Sequence, residues 1–355
     1  MDGFDLLPES WSIPDAAFLK GNPKILCYNS SMGEMVFRRA AMNVRTKRWI
    51  PAVIFAWALT HPAALPGQEK TKEITNQIFV NAISIAVTVQ DRSGRYVDDL
   101  SQKDFRILES GRKQEITYFK YDFEAPLSLT VLLDVSGSMA IQDKLQECKE
   151  ALKGLIAGLL SPRDEVSLLI FADGQVEIVA PFSADKSGFL AALEKAEAYG
   201  QTALNDAVAV SPEFADKGRN EKRAILLLTD GIENDSRTTP AEAVEIARRV
   251  DVPIYTVGYK LPLSEQRLQK HKRGADSTLV GIVAGLNKFS AATGGRAFFL
   301  NTSSELRQAL GLIRRELKHQ YILGYTSPRD SGGEYRGITV VISNKRYVVR
   351  TRQGY

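Results

Sequence analysis

The chain contains few of the residues on which disulfide frameworks and zinc sites depend. Only two cysteines, Cys27 and Cys148, and three histidines occur among its 355 residues. Two cysteines cannot form a disulfide framework, and so few Cys and His side chains argue against a zinc site.

The chain also has little excess charge of either sign. A formal net charge of +4 is too small a surplus to indicate nucleic-acid binding, and no basic stretch is interleaved with aromatic residues. What remains is an ordinary globular composition, 44% hydrophobic and 25% charged. The length allows a sizeable core and more than one domain.

The N-terminal part lacks an apolar run long enough to span a bilayer. Its apolar residues 50–59 make up about half of the roughly 20 residues that a spanning helix needs. They follow a basic stretch that begins at Met42 and precede small residues and a Pro-Gly break, which is the layout of a secretory signal peptide. We therefore predict a translation start at Met42, a signal peptide over 42–67, and export to the periplasm or the extracellular space. Residues 1–41 are then an upstream extension or an unstructured leader. The alternative for 50–59 is a buried segment of a folded domain.

Short predicted strands lie on both sides of a longer central region. After a polar linker at 68–75, residues 76–122 alternate apolar and polar positions and contain a Ser-Gly turn, which predicts a small antiparallel β-unit. Residues 319–355 predict three more strands, the last two joined around Asn344 and Lys345. We expect this C-terminal segment to pack with 76–122.

Between these flanks, residues 126–318 alternate continuous apolar runs of strand length with helical patterns. The apolar runs are 127–133, 165–171, 223–229, 252–259 and 296–300. Strands that are apolar on both sides and alternate with helices are typical of a mostly parallel sheet covered on both faces. We predict a doubly wound α/β fold whose ligands bind at the carboxyl ends of the strands. Pro212, inside one helical pattern, predicts a kink or break.

Three loops on the expected ligand edge carry short oxygen-bearing side chains. They are Asp134, Ser136 and Ser138 after the first strand, Thr202 after a Gly turn, and Asp230 after the strand AILLLT. Each motif alone is also explained by a helix cap or a tight turn. Together they favour a site for a divalent ion such as Mg²⁺, which takes about six hard oxygen ligands and few direct carboxylates. Such a set leaves at least one coordination position for an oxygen from outside the protein.

The ordered set D-x-S-x-S, G-x-T and T-D-G resembles the von Willebrand factor A domain over residues 126–318. The resemblance implies that Asp134, Ser136, Ser138, Thr202 and Asp230 form that family's metal-ion-dependent adhesion site. It further implies Mg²⁺, or Mn²⁺ or Ca²⁺, at the top of the sheet, with an Asp or Glu of a partner protein completing the coordination. The flanks are similar to those of a group of bacterial secreted proteins related to this domain. We therefore expect an exported, metal-dependent protein-binding module.

Enzymatic readings fit the sequence less well. An aspartyl-phosphate phosphatase usually needs a second acid two residues after the first, where this chain has Ser136. A serine hydrolase needs a nucleophile elbow and a histidine base, and DVSGSM does not match G-x-S-x-G. We expect a protein without catalytic activity. The alternatives are an assembly subunit that works with a separate ATPase and, less favoured, a Mg²⁺-dependent hydrolase.

A basic segment follows the strand VPIYTVGY, near the expected metal edge. It carries Lys260, Arg267, Lys270, Lys272 and Arg273. Our hypothesis is that these cations steer an acidic partner toward the ion. The alternative is a solvated loop without that role, and the acidic stretch 233–235 on the neighbouring loop argues mildly against steering.

Overall fold

The computed structural model describes residues 10–12 (backbone only), 81–159, 161–261, 279–327 and 335–355. The predicted signal peptide over 42–67 and the linker at 68–75 lie outside the described residues. Among the helices that the structure describes, none combines the length and apolarity needed to cross a membrane.

The elements divide into a central α/β part and strands contributed by both ends of the chain. In the described residues the strands are β1 (Ser10–Ser12), β2 (Asn81–Gln90), β3 (Phe105–Glu109), β4 (Arg112–Gln114), β5 (Ile116–Tyr121), β6 (Leu127–Asp134), β7 (Glu165–Ala172), β8 (Gln175–Ser183), β9 (Lys222–Thr229), β10 (Ile254–Tyr259), β11 (Ala297–Leu300), β12 (Gln320–Ser327), β13 (Ile338–Ile342) and β14 (Val348–Arg350). The α-helices are α1 (Lys144–Leu159), α2 (Ser187–Lys195), α3 (Leu204–Ala215), α4 (Pro240–Arg248), α5 (Leu279–Thr293) and α6 (Ser303–Lys318). A 3-10 segment, Gly137–Asp143, connects β6 to α1.

The central sheet has the strand order β1-β8-β7-β6-β9-β10-β11. Strands β7, β6, β9, β10 and β11 run parallel, which confirms the predicted mostly parallel sheet. Strand β8 runs antiparallel to β7, because only Asp173 and Gly174 separate the two strands and both have positive φ. A two-residue loop with this backbone forms a hairpin, whereas a parallel return needs a longer crossover.

Helices cover both faces of the central sheet. Successive side chains of a strand point to opposite faces, so β6 contributes to two cores. Val131 and Leu133 lie in the core formed with α1, α2 and α6, and Leu132 lies in the core formed with α3, α4 and α5. The doubly wound arrangement predicted from the sequence is therefore present.

Two smaller sheets share a third core. Their strand orders are β14-β2-β12-β5 and β13-β3-β4. Strand β12 lies between β2 and β5, and β13 pairs with β3, so each sheet combines strands from before and after the α/β part. Ile85, Ile107 and Tyr321 are fully buried between the sheets.

Three details go beyond the sequence-based expectations or differ from them. Helix α3 continues through Pro212 to Ala215, so of the predicted kink or break the break does not occur. Pro212 lies in the last turn of α3, and the hydroxyl of Ser211 donates to the Val208 carbonyl that the missing N–H would have reached. Strands β13 and β14, although joined by a turn at 344–347, pair with different sheets. Within the stretch 1–41, the structure describes Ser10–Ser12, which pairs with residues 175–177 at the sheet edge.

Candidate metal centre

The carboxyl ends of β6 and β9 bring two acids together. These strands are parallel neighbours, with Leu133 opposite Leu228. Asp134 is the last residue of β6, and Asp230 directly follows Thr229, the last residue of β9. The register of the two strands therefore places both acids at the same edge of the sheet. Both carboxylates are fully buried.

The first loop turns sharply around the Asp134 carboxylate. Its Oδ1 accepts the backbone N–H of Ser136 at 2.9 Å, and its Oδ2 accepts the hydroxyl of Thr229 at 2.6 Å. The hydroxyl oxygens of Ser136 and Ser138 lie 3.2 Å apart. Two hydroxyls from alternate residues thus point to one region beside a fixed carboxylate.

The loop before α3 is tied to this first loop through its backbone. Gly137 N–H donates to the Gly200 carbonyl at 3.0 Å, and Tyr199 N–H donates to the Val135 carbonyl at 2.8 Å. Gly200 has φ +63°, and a Cβ there would lie 2.2 Å from the Asp173 carboxyl group. Only glycine fits this position, which sets the course of the loop that ends at Thr202.

Thr202 connects this second loop to the third. Its N–H donates to Asn234 Oδ1 at 2.8 Å, and its carbonyl accepts the N–H groups of Asn234 and Asp235. Thr202 is 2% exposed. The three sequence motifs therefore lie at one edge of the sheet, in loops that are hydrogen-bonded to one another.

Electrostatics favour a cation at this edge. Burial, and next the charge of nearby Asp230, raises the pKa of the Asp134 carboxyl above its ordinary range, although hydrogen bonds from Ser136 and Thr229 act to lower it. A positive charge nearby stabilises the ionised forms of two neighbouring buried acids.

One cation at the site is part of the chain and was missed at the sequence level. Lys144 Nζ donates to Asp230 Oδ2 at 2.7 Å, and the two side chains are 6% and 0% exposed. Lys144 is the first residue of α1, where the helix dipole disfavours a positive charge. That unfavourable position was the sequence signal that a nearby acid holds Lys144.

The donor set of the three loops suits a hard divalent ion. It consists of two carboxylates and three hydroxyls, all oxygen donors of the kind that Mg²⁺ and Mn²⁺ accept. Within the part of the chain that the structure describes, no group of three or more His, Cys, Asp or Glu side chains is arranged to hold a metal. An ion at these loops would therefore depend on hydroxyls as well as acids, and would have positions left for oxygens from outside.

The basic segment is only partly described. Lys260 Nζ lies 2.7 Å from Glu147 Oε2 and donates to the Gln142 carbonyl at 3.0 Å, so its charge is engaged by α1 and the preceding loop. Arg267, Lys270, Lys272 and Arg273 lie outside the described residues.

The family model of the von Willebrand factor type A domain matches residues 129–233. That interval begins in β6 and extends past Asp230, and it contains all three loops. Two curated relatives, both uncharacterised, are 28% identical to this chain. The Borreliella burgdorferi protein aligns over 140 residues, 38% of this chain and 41% of its own length. The Synechocystis protein aligns over 181 residues, 50% of this chain and again 41% of its own length.

Several solved structures have similar folds. The conserved hypothetical protein BatB from Bacteroides thetaiotaomicron has a TM-score of 0.42 at 18% identity, covering 54% of this chain and 98% of that one. The vWF domain of the pilus tip protein Mfa5 from Porphyromonas gingivalis has a TM-score of 0.42 at 11% identity, with 54% and 94% covered. Proximal thread matrix protein 1 of the mussel byssus, with a zinc-occupied MIDAS motif, has a TM-score of 0.45 at 16% identity, with 60% and 50% covered.

These likenesses are distant, and they do not identify the activity of the chain. The family model, the doubly wound sheet and the order of the three loops agree with one another. The chain contains a von Willebrand factor type A domain.

Proposed function

We propose that this chain binds another protein through a divalent ion, Mg²⁺ or Mn²⁺, held by Asp134, Ser136, Ser138, Thr202 and Asp230. The observation that supports the proposal is that two fully buried carboxylates and three hydroxyl-bearing residues lie in three hydrogen-bonded loops at one edge of the sheet. An Asp or Glu of the partner completes the coordination.

Each group of the chain has a distinct role in this proposal. Asp134, fixed by Thr229 and by the N–H of Ser136, supplies a carboxylate that cannot rotate away. Ser136 and Ser138 supply two neutral oxygens from the same turn, and Thr202 supplies a third from the next loop. Neutral ligands leave the ion with uncompensated charge, which is needed to attract an anionic partner.

The balance of charge explains why the partner should present a carboxylate. With both acids ionised and no ion bound, the two carboxylates and the ammonium of Lys144 carry one net negative charge between them. A bound divalent ion supplies an open coordination position in a site whose net charge is then positive, which favours an anionic oxygen over a neutral one. This accounts for binding without any chemical step, so the proposed role is not catalytic.

We further propose that the protein works outside the cytoplasm. The supporting observation is the basic, apolar and small-residue order of residues 42–67. N-terminal sequencing of the protein recovered from its native host tests this. A new N-terminus near residue 67 supports export through a signal peptide, and an intact, cytosolic N-terminus contradicts it.

Titration of the full chain with MnCl₂ and MgCl₂, followed by calorimetry, tests the metal site. We expect Asp134→Asn to weaken ion binding at least roughly tenfold, because it removes one of two charged ligands while preserving size. Asp185→Asn is the matched control, since Asp185 is exposed at the start of α2 and only accepts bonds from Ser187. Equal ion affinity of Asp134→Asn and wild type would contradict the proposal.

Capture from envelope extract tests the partner. The wild-type chain in Mg²⁺ should retain proteins that are lost with chelator and lost with Asp134→Asn, but kept with Asp185→Asn. Carbodiimide amidation of the captured proteins should then abolish their rebinding, because it neutralises their carboxylates. Rebinding after amidation would exclude a partner carboxylate as the final ligand.

A further inference from the structure

The proposed function uses Lys144 only for its charge, but the buried pair of Lys144 and Asp230 also limits how an ion can bind at the metal edge, the sheet edge formed by the loops after β6, before α3 and after β9. Nζ and Oδ2 lie 2.7 Å apart, and neither side chain is more than 6% exposed. Burying an ammonium and a carboxylate requires desolvating both, so a pair of this kind persists only with good geometry and satisfied partners.

Lys144 is not buried merely because α1 packs on the sheet. Lys149, on the same helix, is also buried, with 7% exposed, but its ammonium donates to the Glu194 backbone carbonyl at 2.8 Å. Of these two buried lysines, Lys144 is the one whose charge lies on a carboxylate of the metal edge. The chain therefore positions a cation where the divalent ion would also bind.

The pair occupies part of the Asp230 carboxylate. Its Oδ2 accepts a hydrogen bond from the Lys144 ammonium, and its Oδ1 accepts the backbone N–H of Ile232 at 3.2 Å. An ion that uses Asp230 must share an oxygen with one of these donors, reach it through water, or displace the ammonium. The ion must therefore either stay near a like charge in a desolvated site, where repulsion is stronger than in water, or break a buried ion pair.

We propose that the ammonium of Lys144 is an internal cation that competes with the divalent ion for Asp230 and thereby weakens the affinity of the site for the ion. The inference rests on the proposed function, because it concerns the same site. Lys144 holds Asp230 in place without an ion, and its charge raises the ion concentration at which the site fills. Partner binding then responds to changes in the concentration of the free ion instead of being permanently saturated.

Charge variants of the full chain test this. Lys144→Met keeps most of the unbranched apolar side chain and removes its charge, so we expect it to bind Mn²⁺ and Mg²⁺ at least roughly tenfold more tightly than wild type in calorimetry. Lys144→Arg keeps the charge and should stay within about threefold of wild type. Lys149→Met is the matched control, and it should leave ion affinity unchanged because it removes a buried lysine that does not contact the metal edge.

The change of Tm with Mg²⁺ provides a second test of the same variant. Without an ion, Lys144→Met leaves two buried carboxylates uncompensated, so its Tm should be lower than that of wild type. Saturating Mg²⁺ should recover most of the difference, giving a larger ion-induced rise in Tm than in wild type. If Lys144→Met does not fold, Lys144→Gln replaces it. Gln retains an N–H donor toward Asp230 without the charge, and it should also bind the ion more tightly.

The outcomes separate this inference from the proposed function. Ion binding by wild type with no tightening in Lys144→Met or Lys144→Gln would overturn the inference and leave the metal site standing. No binding by wild type but clear binding by Lys144→Met would support the inference and show that the natural chain does not use the ion. No binding by any of these proteins would overturn both.

Discussion

Glu316 near the end of α6 forms a buried ion pair with Arg350 of β14. The distance between Glu316 Oε1 and Arg350 Nη1 is 2.8 Å, and the Glu316 side chain is 1% exposed. Tyr255 of β10 also donates its hydroxyl to this carboxylate, at 2.9 Å. One buried acid thus connects β10 of the central sheet, helix α6 and strand β14 of one of the two smaller sheets.

Removing Arg350 should destabilise the fold, because the Glu316 carboxylate would stay buried with a neutral donor only. We expect Arg350→Met to lower the free energy of unfolding by about 2–4 kcal/mol, less than for a fully buried pair because Arg350 is partly exposed. Urea denaturation measures the change. Arg346→Met, in the exposed turn before β14, is the control, with an expected change within about 0.5 kcal/mol. Equal effects of the two substitutions would show that the pair contributes no stability.

The last residue of the chain bonds to a second buried acid. The hydroxyl of Tyr355 donates to Glu109 of β3, which also accepts bonds from Tyr325 and Ser327. Tyr355→Phe should lower the free energy of unfolding by about 1.5–3 kcal/mol, the usual contribution of a hydrogen bond to a charged group. Tyr335→Phe removes a hydroxyl bonded to the Gln353 carbonyl at 2.8 Å on an exposed side chain, and it should cost under about 1 kcal/mol. A Tyr355→Phe protein as stable as wild type would contradict this.

Lys222 predicts a pH dependence of stability. Burial, with the charge of Lys318 as the next cause, lowers the pKa of Lys222 to about 8 from its ordinary value of 10.5. Between these two values the unfolded chain binds more protons than the folded chain, so folding becomes more favourable as pH rises. From pH 8 to 9.5 this group should add about 1.5 kcal/mol to the free energy of unfolding.

The contribution of Lys222 is isolated by difference. Urea denaturation of wild type and Lys222→Met at pH 8 and pH 9.5 compares the change with pH in the two proteins, so that other titrating groups cancel. Wild type should gain about 1.5 kcal/mol relative to the variant over this interval. A parallel pH dependence in the two proteins would rule out a depressed pKa for Lys222.

Gly200 predicts a link between backbone conformation and the metal site. Gly200→Ala places a side chain at φ +63° and 2.2 Å from the Asp173 carboxyl group, so the loop that carries Thr202 must shift. We expect a loss of about 2–4 kcal/mol of stability and a several-fold loss of Mn²⁺ affinity. Gly94→Ala is the control for backbone strain alone, because Gly94 has φ +81° and its Cβ would meet nothing within 4 Å. It should cost about 1 kcal/mol and leave ion affinity unchanged. Unchanged ion affinity in Gly200→Ala would show that the loop carrying Thr202 does not contribute to ion binding.

The sequence predicted the central fold well because apolar patterns report burial directly. Residues 127–133 are apolar or small throughout, and the strand they form is buried at every position. In α6, the four apolar residues at helical spacing are all buried: Leu306, Leu310, Ile313 and Leu317. Pro240 begins α4, in keeping with the preference of proline for the first position of a helix. In each case the signal and its cause lie within one short segment.

One local signal was misleading. Pro212 predicted a kink or break, but its position in the last turn of α3 leaves the helix continuous.

Contacts between residues far apart in the sequence carried no comparable signal. Lys144 was overlooked because its acid lies 86 residues further along the chain. The strands β13 and β14 are neighbours in sequence, yet each pairs with a strand from the other end of the chain.

Local sequence patterns were enough to predict the doubly wound fold, the three oxygen-bearing loops and their order along the chain. These follow from local patterns, since the side chains of a strand or helix sort by burial and loops occupy the strand ends. The hydrogen bonds that join the loops through Gly137, Gly200 and Thr202 became visible only in the folded chain. Only the tertiary structure brought Lys144 to Asp230. The physical reason is that buried charges and backbone donors are satisfied by whatever group the fold brings within about 3 Å, and sequence distance does not enter that condition.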